Sequence, residues 1–147
     1  MKSRNSTTRC NLDEETLRCI FDGSPEAIVV TDLGGNLIAC NQKALEVYGT
    51  VVKEELIGKS CLELIAPRDR KRVMADLVEA RELGSERYVD YAVLRKDGSE
   101  YPAEISTTIL RDASGKPNCL VGILRDVSER KKVEEALSES ERKYRSV

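Results

Sequence analysis

Histidine is absent from all 147 residues, and that absence closes off more chemistry than any motif present opens. Without it there is no Ser–His or Cys–His nucleophile pair, no His-ligated zinc and no His-ligated haem. A phosphoacceptor histidine is missing too, so the chain holds no kinase dimerisation core. Tryptophan is also absent and phenylalanine occurs once, so a core has to be assembled from Val, Ile, Leu and Ala. The five cysteines, Cys10, Cys19, Cys40, Cys61 and Cys119, are odd in number and contain no C-x-x-C pair. A disulfide framework or zinc site wants close, paired spacings, so they read as small reduced hydrophobes. No stretch is apolar for long enough to span a bilayer, and no apolar h-region follows the charged start MKSRNSTTRC. Lys and Arg number 24 against 26 Asp and Glu. That balance lacks the basic footprint of a nucleic-acid module or of a polybasic membrane segment. The chain reads as cytoplasmic, with no nucleic-acid partner and no membrane insertion.

What is present is a series of short elements. Residues 1–11 are polar and irregular and read as a disordered N-terminus. Over 12–24, Leu17, Ile20 and Phe21 recur at helical spacing behind early acids, and Gly23-Ser24-Pro25 stops the segment, which predicts a flanking helix. Residues 26–32 and 35–41 form a hairpin about Gly34-Gly35. Asn41 is a good cap for a helix over 42–49, which ends on Gly49. A short helix over 51–58 and a brief apolar segment over 60–65 follow. Pro67 then opens the longest helix of the core, with Val73, Leu77 and Ala80 on one face and Gly84 closing it. Strands are expected at 87–95, 100–110 and 118–126, the first two joined by Asp97-Gly98.

From 128 to 147 the chain is charged and lacks Gly and Pro. Asp126 and Glu129 have the spacing of a capping box. Val133, Leu137, Ser140, Tyr144 and Val147 recur at four-three spacing, the seam of a short coiled coil. The sum is an α+β layout: a five-stranded antiparallel sheet with short helices on one face and flanking N- and C-terminal helices.

These residues resemble a known family. Phe21-x-x-Ser24-Pro25-x-Ala27-Ile28-x-x-Thr31-Asp32-x-x-Gly35-x-Leu37-Ile38-x-x-Asn41 resembles the opening of a PAS domain. Arg95-Lys96-Asp97-Gly98 resembles the hairpin of that family, and Gly122-x-x-Arg125-Asp126-Val127-Ser128-Glu129-Arg130-Lys131 its last strand and exit. The resemblance implies a PAS core over 25–127 and a linker helix or coiled coil over 128–147. Glu134-Glu135-Ala136-Leu137 and Ser140-Glu141-Arg142-Lys143-Tyr144-Arg145 resemble the linker between successive PAS domains of multi-PAS sensor histidine kinases. The chain is therefore expected to be a fragment of a longer two-component sensor that feeds a downstream output domain. A cyclic-dinucleotide enzyme or a transcription regulator are the alternatives at the end of the same helix.

The family uses the inner face of its sheet and the facing helices as a pocket. Carried onto this sequence, its walls are Ile38, Leu45, Cys61, Leu64, Leu77, Tyr91, Val93, Ala103, Ile105, Thr107, Gly122 and Leu124. Either a small apolar ligand occupies that interior or its own side chains fill it. Cys61 stands where the blue-light flavin branch carries its reactive cysteine. Val93, Ala103 and Leu124, however, replace the amides that read the flavin ring there, and a polar ring edge buried against them stays unpaired. Flavin is disfavoured, as is His-ligated haem; no metal and no catalytic residue is expected. Adjacent acids such as Glu54-Glu55 read as solvated faces.

The expected signal exit is Asp126, Val127 and Ser128. Strand parity leaves Leu94, Thr108, Leu110, Val121 and Ile123 on the outer face, a stripe too apolar to stay wet without consequence. With Leu17, Ile20 and Phe21 of the first helix and Val133, Leu137 and Tyr144 of the last, it forms the expected helix-docking and homodimer surface. The function so implied is relay of a ligand- or interaction-induced change through the C-terminal helix; the alternative is a ligand-free dimerisation module.

Overall fold

The protein, seen in a computed structural model, is described over residues 13–83 and 88–146. The expected disordered segment 1–11, the helix-closing Gly84 and Val147 of the seam lie outside the described residues. Asp13 accepts a hydrogen bond from the Thr16 N–H at 2.7 Å and caps α1 (Glu14–Gly23), whose first turn holds Glu14 and Glu15. Both features suit the positive end of a helix. β1 (Ala27–Thr31) and β2 (Leu37–Cys40) pair antiparallel across a turn organised by Asp32. One oxygen of Asp32 accepts from the N–H of Gly34 and of Asn36, each at 2.9 Å. Gly35 supplies the positive φ of 88° that the turn requires.

The register of this hairpin shifts between Val30 and Thr31. The shift rotates β2, so that Leu37 is 1% exposed and Ile38 is 52% exposed. Asn41 caps α2 (Gln42–Tyr48), and Gly49 ends it in the left-handed conformation. The helix expected over 51–58 is a single 3-10 turn, Lys53–Glu55, because so short a segment does not repay helix nucleation. The 60–65 segment is a second turn, Cys61–Leu64, closed by a reciprocal capping box between Ser60 and Glu63. A third, Pro67–Asp69, leads into α3 (Arg70–Leu83).

β3 (Tyr88–Leu94), β4 (Glu100–Arg111) and β5 (Pro117–Asp126) complete a five-stranded antiparallel sheet in the order β2-β1-β5-β4-β3. β5 fills the centre by pairing with β1 from Ala27↔Leu124 to Thr31↔Leu120 and with β4 along nearly its whole length. α2, the 3-10 turns and α3 lie over one face. The core has two parts. One gathers around Leu37, Leu45 and Leu56, the other around Ile65, Val73, Tyr91 and Tyr101, and Leu124 packs against both. α4 (Ser128–Ser146) leaves from the end of β5.

Candidate functional site

Between α3 and the sheet, packing leaves a cavity of about 90 Å³. Its roof is Val73, Asp76, Leu77 and Ala80; the last three lie three, four and seven residues beyond Val73 along α3, and so all share a face. Cys61, Leu64 and Ile65 close one side. The floor comes from Val29 and Thr31 on β1, Val89, Tyr91 and Val93 on β3, Ile105 and Thr107 on β4, and Leu120, Gly122 and Leu124 on β5. Register sets Val29, Gly122 and Thr107 side by side across three strands. A methyl at Gly122 would stand 3.4 Å from the Val29 side chain, so the missing side chain helps keep the floor open.

Nine of the twelve residues expected on the wall line this cavity: Cys61, Leu64, Leu77, Tyr91, Val93, Ile105, Thr107, Gly122 and Leu124. Leu45 and Ala103 are buried in the two packed clusters instead, off the wall. Ile38 faces solvent, because the slip in the β1–β2 register turns it away. Asp76 was not anticipated, although its place on the Val73–Leu77–Ala80 stripe is readable in the sequence; an acid on an apolar stripe is easily taken for a boundary residue.

Asp76 is the polar point of the roof. Its Oδ2 accepts a hydrogen bond from the Tyr91 hydroxyl. The Arg72 guanidinium lies over the Tyr91 ring, 4.6 Å from the centroid. Arg72 also donates to the carbonyl of Asp90 at 2.8 Å and pairs with Asp69 at 3.3 Å. Asp69 in turn accepts from the Ala92 N–H at 2.8 Å, and that backbone bond is the main reason its carboxyl is held below the ordinary range. Among the other polar groups of the wall, the Thr31 hydroxyl donates to the Asp32 carbonyl. Burial pushes the Cys61 thiol upward, which keeps it protonated and a poor nucleophile.

The exit is tied to the same strands. Val127 is 4% exposed and its N–H donates to the Pro102 carbonyl at 3.0 Å. The expected Asp126–Glu129 capping box does not form. The Asp126 carboxylate instead accepts from the N–H and the hydroxyl of Ser128, at 2.9 and 2.5 Å, while Glu129 pairs with Lys132. Arg130 reaches Asp90 at 3.1 Å and Glu104 at 3.2 Å, and Lys131 reaches Asp90 at 3.4 Å. The first turn of α4 is thus fastened to β3 and β4.

On the outer face, Ile28 lies opposite Ile123 and Val30 opposite Val121, with Thr108 beyond; all five are half-buried. Leu110 is exposed. Leu94 lies apart from this stripe. It is half-buried at the end of β3 and borders a second cavity of about 30 Å³ with Val47, Tyr48 and Tyr101. α1 leans on α2, through Asn41 to the Phe21 carbonyl and Gln42 to Asp22, and leaves Leu17 and Ile20 exposed beside a groove shared with Phe21 and Ile28. Val133 and Leu137 are exposed on α4; the side chain of Tyr144 lies outside the described residues. Among the described residues no group of His, Cys, Asp and Glu side chains is placed to hold a metal, and no helix is long and apolar enough to cross a membrane.

Residues 25–129 match the family model of the PAS domain. An uncharacterized protein of Azorhizobium caulinodans is 30% identical over 130 residues, covering 85% of this chain and 17% of the relative. Sensor histidine kinase TmoS of Ectopseudomonas mendocina is 24% identical, covering 95% of this chain and 15% of the kinase. Sporulation kinase E of Bacillus subtilis is 28% identical, covering 91% and 17%. The chain therefore spans less than a fifth of the length of these relatives. Among solved structures, a PAS domain from Colwellia psychrerythraea superposes with a TM-score of 0.72 at 29% identity, covering 80% of this chain and 99% of that one. A LOV protein from Rhodobacter sphaeroides gives 0.69 at 20% identity, covering 86% and 74%, a likeness of fold alone.

Proposed function

The chain belongs to the PAS domain family, and from that premise we propose that it is a cytoplasmic sensory and relay module, in which occupancy of the cavity under α3 is passed through α4 to an output domain. The observation that carries this reading is the placement of two neighbours on β3. Tyr91 lines the cavity and is bonded to Asp76. Asp90, beside it, holds Arg130 and Lys131 of the exit helix. Arg72 touches both, through the ring of one and the carbonyl of the other. A molecule entering the cavity meets the first residue of this chain of contacts, and α4 is fastened to the last. Coupling of this kind requires two discrete arrangements of the linked groups.

The family's module is sensory and not catalytic, and the named relatives that it matches are kinases of much greater length. A histidine kinase is accordingly the proposed output, and a homodimer the proposed working form. The likeness of fold to a LOV protein raises a flavin, which the residues here do not fit. A cavity of about 90 Å³ is far below the roughly 300 Å³ at the small end of pockets for cofactor-sized ligands, and the thiol at Cys61 is held protonated by burial.

The test is a titration of small apolar fragments followed through backbone amide resonances. Binding is expected to shift Val89–Val93 and Gly122–Leu124 together. Gly122→Leu, which fills the floor, is expected to abolish the response. If no fragment moves these resonances in the wild-type protein, the cavity is packing and the chain is a ligand-free interaction module.

A further inference from the structure

We propose that the Thr107 hydroxyl is the recognition point of the cavity, and that the molecule it selects is compact, uncharged and carries a single hydrogen-bonding oxygen. The inference rests on the ligand-cavity reading above and adds the chemical class of what binds. It starts from the polar groups of the wall. The Thr31 hydroxyl is donated to the Asp32 carbonyl, and Tyr91 and Asp76 are bonded to each other. Burial holds the Cys61 thiol protonated, and a thiol is a weak donor. Among the described residues the Thr107 hydroxyl has no hydrogen-bond partner in the protein. Valine would give the same β-branched shape in the strand without a polar atom, so a hydroxyl on this floor needs a reason beyond packing.

Register sets the reach of that hydroxyl. Thr107 lies opposite Gly122, and Gly122 lies opposite Val29. A methyl built at Gly122 meets only Val29 within 4 Å among the described residues, so the floor beside Thr107 is open. A hydroxyl both donates and accepts. It therefore serves an alcohol or a ketone, and what it discriminates against is a ligand with no polar atom at that point. Water can occupy the same place. A ligand oxygen that displaces it restores the bond, and a hydrocarbon does not. The wall around it is mainly aliphatic, with Val73, Leu77 and Ala80 on the roof and Ile105 and Leu124 on the floor. Thr107 carries no charge to pair with an ionised ligand, and an unpaired charge against such a wall is costly. Size sets the last limit. At about 90 Å³ the space is smaller than the cavity of about 150 Å³ that accepts benzene. The ligand is then a small ketone or alcohol rather than an aromatic acid or a cofactor.

The experiment uses two probes of the same shape and non-hydrogen atom count: cyclobutanone, and methylenecyclobutane, which has a methylene group in place of the oxygen. Each is titrated into the intact chain while the amides of Tyr91 and Gly122 are followed, and the ratio of the two dissociation constants is the readout. Thr107→Val keeps the shape of the floor and removes the hydroxyl. It is expected to weaken cyclobutanone about fivefold relative to methylenecyclobutane, the value of one neutral hydrogen bond. Thr107→Ser keeps the hydroxyl and is expected to hold the wild-type ratio. Should Thr107→Val fail to fold, Thr107→Ala is read by the same ratio. A ratio unmoved by loss of the hydroxyl, an equal shift in Thr107→Ser, or a wild-type chain that binds the hydrocarbon and not the ketone overturns the Thr107 inference and leaves the cavity reading standing. Failure of both probes to shift the cavity amides overturns both.

Discussion

Asn41 is fully buried, and both polar atoms of its side chain are used twice. Its amide donates to the carbonyls of Phe21 and Glu26, at 2.8 and 3.1 Å. Its oxygen accepts from the N–H of Ile28 and Ala44, at 2.9 and 3.0 Å. One side chain thus joins α1, β1 and α2. Asn41→Ala strands these partners in the interior and is expected to lower unfolding stability by about 3 kcal/mol, read from the urea midpoint at unchanged slope; a loss below about 1 kcal/mol would remove Asn41 from this role. The capping bond to Ala44 was legible in the sequence, since an Asn before an apolar helical run announces it. The other three were not, because their partners lie in segments brought close only by the fold. Tyr101 offers a second residue-scale test. Burial pushes its pKa up to about 12, with Asp126 adding to the shift and Arg95, 4.5 Å above the ring, opposing it. Folding favours the neutral phenol, so this contribution is complete below the unfolded value of about 10 and is lost as pH rises through about 12. In a spectrophotometric titration one of the five tyrosines should ionise near that value, and Tyr101→Phe should delete that step. A titration curve unchanged by the substitution would contradict the assignment.

Strands were the most readable elements and their faces the least. A β-branched run, turn signals and the alternation over 100–110 placed all five, and Asp97-Gly98 marked the β3–β4 turn, where Gly98 takes a φ of 87°. Parity failed at Ile38, because the slip between Val30 and Thr31 has no sequence signal of its own. It also failed to place Leu94, which sits at a strand end where neighbouring turns, not the pleat, decide burial. At the exit, the helix start was legible but its fastening was not. Arg130 pairs with Asp90 and Glu104 over separations of 40 and 26 residues. These pairs are solvent-exposed, so Arg130→Gln should leave global stability nearly unchanged. It should nonetheless speed amide exchange through the first turns of α4, since Val127 and this ion cluster fasten the helix there. Unchanged exchange in that segment would mean that the cluster does not anchor the helix.

At the scale of the whole molecule, the apolar surface left over points outward. Leu17 and Ile20 flank a groove with Ile28, and Val133 and Leu137 run along α4. The proposed homodimer buries these patches. Light scattering should give a mass twice the 16.4 kDa of one chain, and Ile20→Glu with Leu137→Glu should reduce it to a single chain; a monomer at all concentrations would sink the dimer. The overall arrangement was legible from three ordered motifs. The route from cavity to exit was not, because Asp76, Tyr91, Asp90 and Arg130 come from three distant segments and carry no joint signature. That route is the centre of the proposed function, and hydrogen exchange on the intact chain with and without a saturating small apolar fragment, chosen from the resonance titration, tests it most directly. Coupling predicts that filling the cavity changes exchange over Val89–Val93 and, with it, over Val127–Glu134, while α1 stays as it was. Protection confined to the cavity strands, with the exit helix unmoved, would contradict it.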